Sequence, residues 1–172
     1  MVQSIIDAFA TAAARLEESA YPKAVILPNF PRSIQLDYHS CGAKAVYSIL
    51  LYYKKRYGHR SVERALKTDE DGTGVSDIRR VFKKYGLECR TLRKPVIRDL
   101  KAAIDDGCPV LISTWDGEHY SVVYGYSKSE LFVMNPSLDA SPDGVGSLSV
   151  VVSKAAFRRS WDRWAMVIKK PR

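Results

Sequence analysis

The most reactive side chain in the sequence is the thiol of Cys41, which lies where a polar loop meets a helical segment. From Ala45 onward apolar residues recur at helical spacing, which predicts a helix that begins near Cys41 and reaches about Arg56. The N–H groups and dipole at a helix N-terminus favour the thiolate, the form of cysteine that attacks carbonyl groups. The position of Cys41 therefore indicates a nucleophile.

A base and a group to orient it occur in a later segment. His119 begins a run rich in Tyr and Val, Asn135 ends the next apolar run, and residues 127–129 between them favour a hairpin turn. In an antiparallel pair these two positions lie at the same end of the sheet, so the Asn135 carbonyl can accept a hydrogen bond from the imidazole. We therefore predict a catalytic triad of Cys41, His119 and Asn135.

The same region offers donors for a developing negative charge. Gln35 precedes Cys41 by six positions and can place its amide N–H beside the backbone N–H of Cys41, which would make a two-donor oxyanion hole. Gly42 leaves room for a substrate to approach the sulfur. We assign Gln35 to the catalytic set, and Gly42, Ser40 and Glu118 to substrate binding.

A thiol beside an imidazole can exchange its proton before any substrate arrives. In a thiolate–imidazolium pair each charge favours the other, so the pKa of Cys41 is expected to fall below about 8.5 and that of His119 to rise above about 6.5. Activity would then follow a bell-shaped dependence on pH.

Taken together, these residues resemble the bacteriocin-processing branch of the papain-like cysteine peptidases. The similarity extends from roughly Gln35 to Ile168. Besides the residues above, it rests on Ala45 in the cysteine helix, Gly72-Thr-Gly74 before a later helix, Gly125-Tyr126, Asn135-Pro136 and Phe157-x3-Trp161.

The resemblance implies a papain-like fold and removal of double-glycine leader peptides, an activity that this family usually carries fused to an ABC exporter. The chemistry requires neither a metal nor another cofactor. Two positions depart from the family: Asn135 and Ser40 each stand where the family usually has Asp. Asn135 matches the papain type, which leaves the triad intact, whereas Ser40 bears on leader-peptide specificity.

Other interpretations of the same residues stay open. An amine rather than water could resolve the acyl-enzyme, which would make the protein an acyltransferase. The fold could also hold a peptide without cutting it, although the retained Cys41 argues against this. His39 and Cys41 could be two ligands of a metal ion, but the sequence has no second Cys/His pair to complete a tetrahedral zinc site.

The length of 172 residues and the hydrophobic content of 46% predict a single domain with one core. Helices come first and strands later, which indicates an α+β fold with the cysteine helix packed against an antiparallel sheet. We divide the chain into an N-terminal helical extension (1–30), a mainly helical part (31–107) and an antiparallel sheet part (108–172).

The individual elements follow from periodicity and breaker residues. The amphipathic helix Met1–Ala20 is expected to pack its stripe of Ile5, Ile6, Phe9, Ala13 and Leu16 on the domain. Further helices are predicted at Ser61–Lys67, at Ser76–Tyr85 with Ser76 as N-cap, and at Pro95–Asp106 closed by Gly107. Strands are predicted at Leu87–Leu92, Val110–Thr114, Tyr120–Tyr126, Leu131–Met134, Ser147–Val152 and Trp164–Lys169.

The cysteine count bears on the compartment. Three cysteines cannot all pair, and Cys41 is needed as a free thiol, so a reducing cytoplasm is expected. Cys89 and Cys108 are interpreted as buried apolar residues, with a disulfide between them as the alternative. No apolar run of 18 residues and no signal peptide are found, so we expect neither a transmembrane helix nor an exporter in this chain.

The net charge is +8, and most of the basic residues are expected to lie on the solvated surface. No nucleic-acid motif accompanies the basic residues, so the expected partner is a peptide or protein substrate. The positive field favours acidic peptides or anionic membrane surfaces. The sequence does not specify an oligomeric state.

Overall fold

The computed structural model describes residues 2–55, 57–137 and 149–171. The helices are α1 Val2–Ser19, α2 Cys41–Tyr52, α3 His59–Leu66, α4 Val75–Lys84, α5 Ile97–Asp105 and α6 Lys154–Ser160. The strands are β1 Val25–Ile26, β2 Glu88–Leu92, β3 Val110–Thr114, β4 His119–Tyr126, β5 Glu130–Met134, β6 Val151–Ser153 and β7 Trp161–Lys169.

Within these ranges the strands form one antiparallel sheet in the order β2-β7-β3-β4-β5-β6, and β1 pairs with the far end of β4. Strands β3, β4 and β5 are almost completely buried, as expected for the centre of a sheet covered on both faces. Helices followed by an antiparallel sheet confirm the predicted α+β fold.

Helix α2 packs against β4, with Val46, Ile49 and Leu50 fully buried. It ends at Tyr52 instead of continuing to Arg56, which lies outside the described residues. Beyond the helix, Lys54 adopts the left-handed conformation with φ of 58°. Since one left-handed residue of this kind closes a helix, the predicted end was too late.

Helix α1 packs on the domain with a different face from the one predicted. The apolar stripe is expected to face the domain, yet Ile5, Phe9 and Leu16 are 65%, 66% and 76% exposed. Ala10 and Ala14 are buried instead, and polar side chains beside them bond to the domain. Hydrophobic periodicity identifies an amphipathic helix, but it does not account for the hydrogen bonds available to the polar face.

Two smaller boundaries also differ from the prediction. Helix α4 is capped by extended Gly74 rather than by Ser76, because the helix already begins at Val75. The last short strand before α6 is Val151–Ser153, whereas Ser147 and Leu148 of the predicted strand lie outside the described residues.

Helix α5 ends as predicted before Gly107, which has a φ of 75°. Cys89 and Cys108 are free thiols, so the alternative disulfide is not formed. In the described parts of the chain, no helix has the length and apolar character needed to cross a membrane.

Candidate active site

Cys41 is the first residue of α2, and the loop before it is folded around the carboxylate of Asp37. The Oδ1 atom of Asp37 accepts from the backbone N–H groups of His39 at 3.0 Å and Ser40 at 2.7 Å. Its Oδ2 atom accepts from the Ser40 hydroxyl at 2.9 Å. Asp37 thereby fixes the path of the chain into the cysteine helix.

Sequence reasoning missed Asp37. Its carboxylate accepts from the N–H groups two and three residues ahead, which is the pattern of an Asx turn. The preference of Asp for such turns was the signal that the sequence offered. Burial raises the pKa of Asp37, but the hydrogen bonds from Ser40 and His39 outweigh it, so the net pKa is lowered. Asp37 is therefore ionised at neutral pH.

Gln35 lies at the other end of this loop and is almost buried. Its side-chain amide donates to the Asp37 carbonyl oxygen at 2.8 Å, and its backbone N–H donates to the carbonyl oxygen of Pro136 at 2.9 Å. Gln35 thus bridges the cysteine loop and the segment that carries Asn135.

His119 and Asn135 meet as the hairpin geometry predicts. The imidazole Nε2 and the Asn135 Oδ1 atom are 2.8 Å apart, and both side chains are buried. Asn135 Oδ1 also accepts from the backbone N–H of Ser137 at 2.9 Å, which holds the amide oxygen toward the ring. Since an amide oxygen can only accept, the Nε2 atom of His119 carries the hydrogen of this contact.

The thiol of Cys41, at the start of α2, lies beside the first residues of β4. The backbone N–H of Tyr120, the residue after His119, is close enough to the Cys41 sulfur to lower the pKa of the thiol. The Tyr120 ring also lies beside Gly42, so the start of α2 touches the strand that carries the histidine. The fold therefore brings Cys41 to the strand position next to His119.

The pKa of Cys41 is shifted in the direction opposite to the sequence expectation. Burial raises it, while the backbone N–H groups of Tyr120 and Gly42 partly oppose that rise. The Asp37 carboxylate adds to the increase, because a nearby negative charge disfavours the thiolate. In this geometry Cys41 is a thiol at neutral pH.

The residues assigned to substrate binding occupy different environments. A side chain at Gly42 would meet the Thr73 Cβ at 2.7 Å, so packing against the Gly72–Gly74 loop requires a glycine there. Ser40 is fully buried, and any effect on substrate passes through the loop that it holds. Glu118 is exposed beside His119. Contact of these residues with substrate stays a prediction.

Trp115 is a second residue that sequence reasoning missed. Its indole lies against the His119 ring, with centroids 5.1 Å apart, at the turn between β3 and β4. Asp162 holds this turn by accepting from the N–H groups of Asp116 and Gly117 and from the Ser113 hydroxyl. An aromatic residue in a turn four positions before the histidine is a weak signal, since only tertiary contact shows which ring it covers.

His39 does not form part of a metal centre in this structure. Its Nδ1 atom is 3.8 Å from Asp37 Oδ1. Among the described residues, no three His, Cys, Asp or Glu side chains are grouped closely enough to hold a metal ion.

Comparison with known proteins identifies the family. Residues 29–172 match the model of the Peptidase C39 family. The chain belongs to this family of cysteine peptidases. The C39 match covers the cysteine loop, α2 and strands β2 to β7, whereas α1 and β1 lie outside it.

One curated relative is the pediocin PA-1 transport/processing ATP-binding protein PedD of Pediococcus acidilactici. It is 26% identical over 137 residues, which cover 78% of this chain and 18% of that protein. The chain therefore spans about a fifth of the length of this relative.

Two solved structures share the fold. A double-glycine-motif protease from an AMS/PCAT transporter, in complex with its leader peptide, has a TM-score of 0.68 at 21% identity and covers 82% of this chain and 91% of its own. The peptidase domain of Streptococcus ComA, a bifunctional ABC transporter, has a TM-score of 0.64 at 24% identity and covers 80% and 96%. These matches confirm the papain-like C39 fold.

Proposed function

We propose that this C39 peptidase cleaves leader peptides after a double glycine, with Cys41 as nucleophile, His119 as general base and Asn135 as the group that orients His119. The observation that carries this proposal is the 2.8 Å contact between His119 Nε2 and Asn135 Oδ1, at the start of the strand where the backbone N–H of Tyr120 approaches the Cys41 sulfur. In this proposal the Nδ1 atom of His119 is the nitrogen that takes the proton of the thiol.

The raised pKa of Cys41 shapes the proposed mechanism. Cys41 rests as a thiol, and His119 removes its proton as the sulfur attacks the scissile carbonyl carbon. The imidazolium then gives that proton to the leaving amine, and the C–N bond breaks to leave a thioester. Water, deprotonated by His119, hydrolyses the thioester and restores the thiol.

The oxyanion formed at each attack needs donors. The Gln35 amide nitrogen carries two hydrogens, of which the Asp37 carbonyl takes one, so one donor remains. Together with the backbone N–H of Cys41 it would make the hole. Removing such a donor costs about 10² to 10³ in kcat in a well-studied serine peptidase.

A groove beside the site offers a place for the peptide. Pro95, Val96, Ile97 and Trp161 line this groove of about 410 Å³, and Arg158 and Arg163 border it. Trp161 is opposite Thr114, and Thr114 is opposite His119. Neighbouring strands lie about 4.8 Å apart, which puts the backbone of Trp161 roughly 10 Å from that of His119. Its two arginines suit an acidic substrate side chain.

The substrate class comes from the relatives. The name of PedD joins transport with processing, and one neighbour in fold is a double-glycine-motif protease bound to a leader peptide. A reducing cytoplasm is the proposed location, because Cys41 must stay reduced to act.

The test uses a synthetic leader peptide with a Gly-Gly segment followed by a short cargo. Its products are identified by mass spectrometry. Wild-type protein is expected to cut after the second glycine, and neither the Cys41→Ala variant nor a peptide with Leu in place of the second glycine should yield product. Intact peptide after incubation with wild type, or equal cleavage by Cys41→Ala, would refute the proposal.

An added amine tests the alternative of acyl transfer. With glycinamide present at millimolar concentration, a hydrolase gives mainly the free acid. A dominant glycinamide adduct would instead make acyl transfer the favoured reaction.

A further inference from the structure

Helix α1 lies outside residues 29–172 of the C39 match, yet its polar face contacts the segment directly before Gln35. The Asp7 Oδ1 atom accepts from the backbone N–H of Ile34 at 2.9 Å, and its Oδ2 atom accepts from the Ser33 hydroxyl at 3.1 Å. Asp7 therefore holds the residue next to Gln35 by its backbone.

Gln3, one turn earlier in α1, completes this contact. Its side-chain amide donates to the carbonyl oxygen of Ile34 at 2.8 Å and to Asp7 Oδ1 at 2.8 Å. Both backbone polar groups of Ile34 are thus bonded to α1. This is the reason why the helix turns its polar face inward and leaves its apolar stripe exposed.

Gln3 also contacts the cysteine helix. Lys44, in the first turn of α2, is 3% exposed and donates to the Gln3 Oε1 atom at 3.2 Å. Burial lowers the pKa of Lys44, and the Asp7 carboxylate opposes that shift. Helix α1 therefore joins the chain before Gln35 to the helix that begins with Cys41.

We propose that Asp7 is a positioning residue for the oxyanion hole, which it serves by fixing Ile34 and thereby the Gln35 amide. This role rests on the proposed function. Because misplacement of a catalytic group by 1 Å can cost about 10² in rate, loss of the two Asp7 acceptors should lower kcat. KM should stay unchanged, since the oxyanion exists only once the reaction begins.

The experiment measures kcat and KM of the full chain on the Gly-Gly peptide. Asp7→Ala is expected to lower kcat roughly tenfold, whereas Asp7→Asn keeps an acceptor for Ile34 and should retain most of the activity. Glu17→Ala is the matched control. Glu17 ties the other end of α1 to Ser149 and Val150, far along the helix from Gln35, and its loss should leave kcat within twofold.

Two further readouts separate positioning from general loosening. Alkylation of Cys41 by iodoacetamide forms no oxyanion, so Asp7→Ala should leave its rate unchanged. In a Gln35→Ala background, Asp7→Ala should lower kcat by less than twofold, because the group on which it acts is already gone.

The outcomes distinguish the two proposals. If Gln35→Ala lowers kcat but Asp7→Ala does not, or if the two losses multiply in the double variant, the positioning role is refuted and the peptidase proposal stands. A Gln35→Ala variant with unchanged kcat refutes the oxyanion role and the positioning role together. Failure of wild type to cleave the peptide refutes the proposed function itself.

Discussion

The two sides of the site are built from different interactions. On the nucleophile side, the loop from Ile34 to Cys41 is held by the carboxylates of Asp7 and Asp37. On the base side, His119 belongs to a strand paired on both edges, and Asn135 follows its neighbour. One side therefore relies on a few side-chain hydrogen bonds and the other on a backbone ladder.

The two sides of the site should differ in how they respond to the loss of one side chain. A ladder distributes its stabilisation over many backbone bonds, so losing one side chain leaves the strand in register. A loop folded around one carboxylate loses most of its restraint when that group is removed. We therefore expect the nucleophile side to be the more sensitive to single substitutions outside the triad.

The largest losses of kcat should be similar on the nucleophile side and on the base side. Cys41→Ala and His119→Ala are each expected to lower kcat at least about 10⁴-fold, because residues that act as one unit fail together. Steady-state cleavage of the Gly-Gly peptide measures this, and Cys89→Ala is the control for loss of a thiol elsewhere. A residual activity within tenfold of wild type in either variant would remove that residue from the mechanism.

A smaller effect is expected at the group that only orients the base. Asn135→Ala should lower kcat about 10²-fold, less than His119→Ala, because the imidazole still supplies the proton transfer. Asn135→Asp keeps the acceptor oxygen and has the residue that is usual in the family, so it should retain more activity than Asn135→Ala. Equal losses in Asn135→Ala and His119→Ala would contradict this division of roles.

A matched pair of aspartates tests the comparison directly. Asp37 and Asp162 each accept from two backbone N–H groups and one serine hydroxyl, on opposite sides of the site. Asp37→Ala should lower kcat about tenfold through displacement of Gln35 and Cys41. Asp162→Ala should lower it only about twofold, since β4 still holds His119.

An Asp162→Ala variant that loses as much kcat as Asp37→Ala would contradict the expected difference between the two sides. Circular dichroism and the denaturation midpoint of both variants must be measured beside kcat, so that global unfolding is separated from local displacement. A large loss in a variant with a wild-type midpoint is a local effect.

The smallest expected effect concerns the pH at which Cys41 becomes reactive. Because burial raises the pKa of Cys41, its alkylation rate should rise with pH with a midpoint above about 8.5. Asp37→Asn removes a negative charge and should move the midpoint to lower pH. Burial also raises the pKa of Cys89 to about 11 and raises that of Cys108, which slows alkylation of both thiols.

Alkylation is followed by mass spectrometry of the peptide that contains Cys41. A wild-type midpoint below 8.5 that rises in His119→Ala would restore the thiolate–imidazolium pair expected from the sequence. An upward move in Asp37→Asn would show that the loop affects Cys41 by structure rather than by charge.

Local spacing along the chain was enough to predict two features of the site. Apolar periodicity after Cys41 predicted the start of α2, and the hairpin between two apolar runs predicted that His119 and Asn135 meet. Antiparallel pairing leaves little freedom once the turn is known, so this contact followed from the order of residues.

Features that depend on distant neighbours could be read only from the folded chain. Helix α1 turned its apolar stripe outward because hydrogen-bonding partners for its polar face lie at residues 32–34 and 149–150, and no local pattern reveals them. The sign of the Cys41 pKa shift was likewise set by burial of the thiol in the folded chain. A helix N-terminus favours the thiolate, but the desolvation that opposed it is a property of the whole fold.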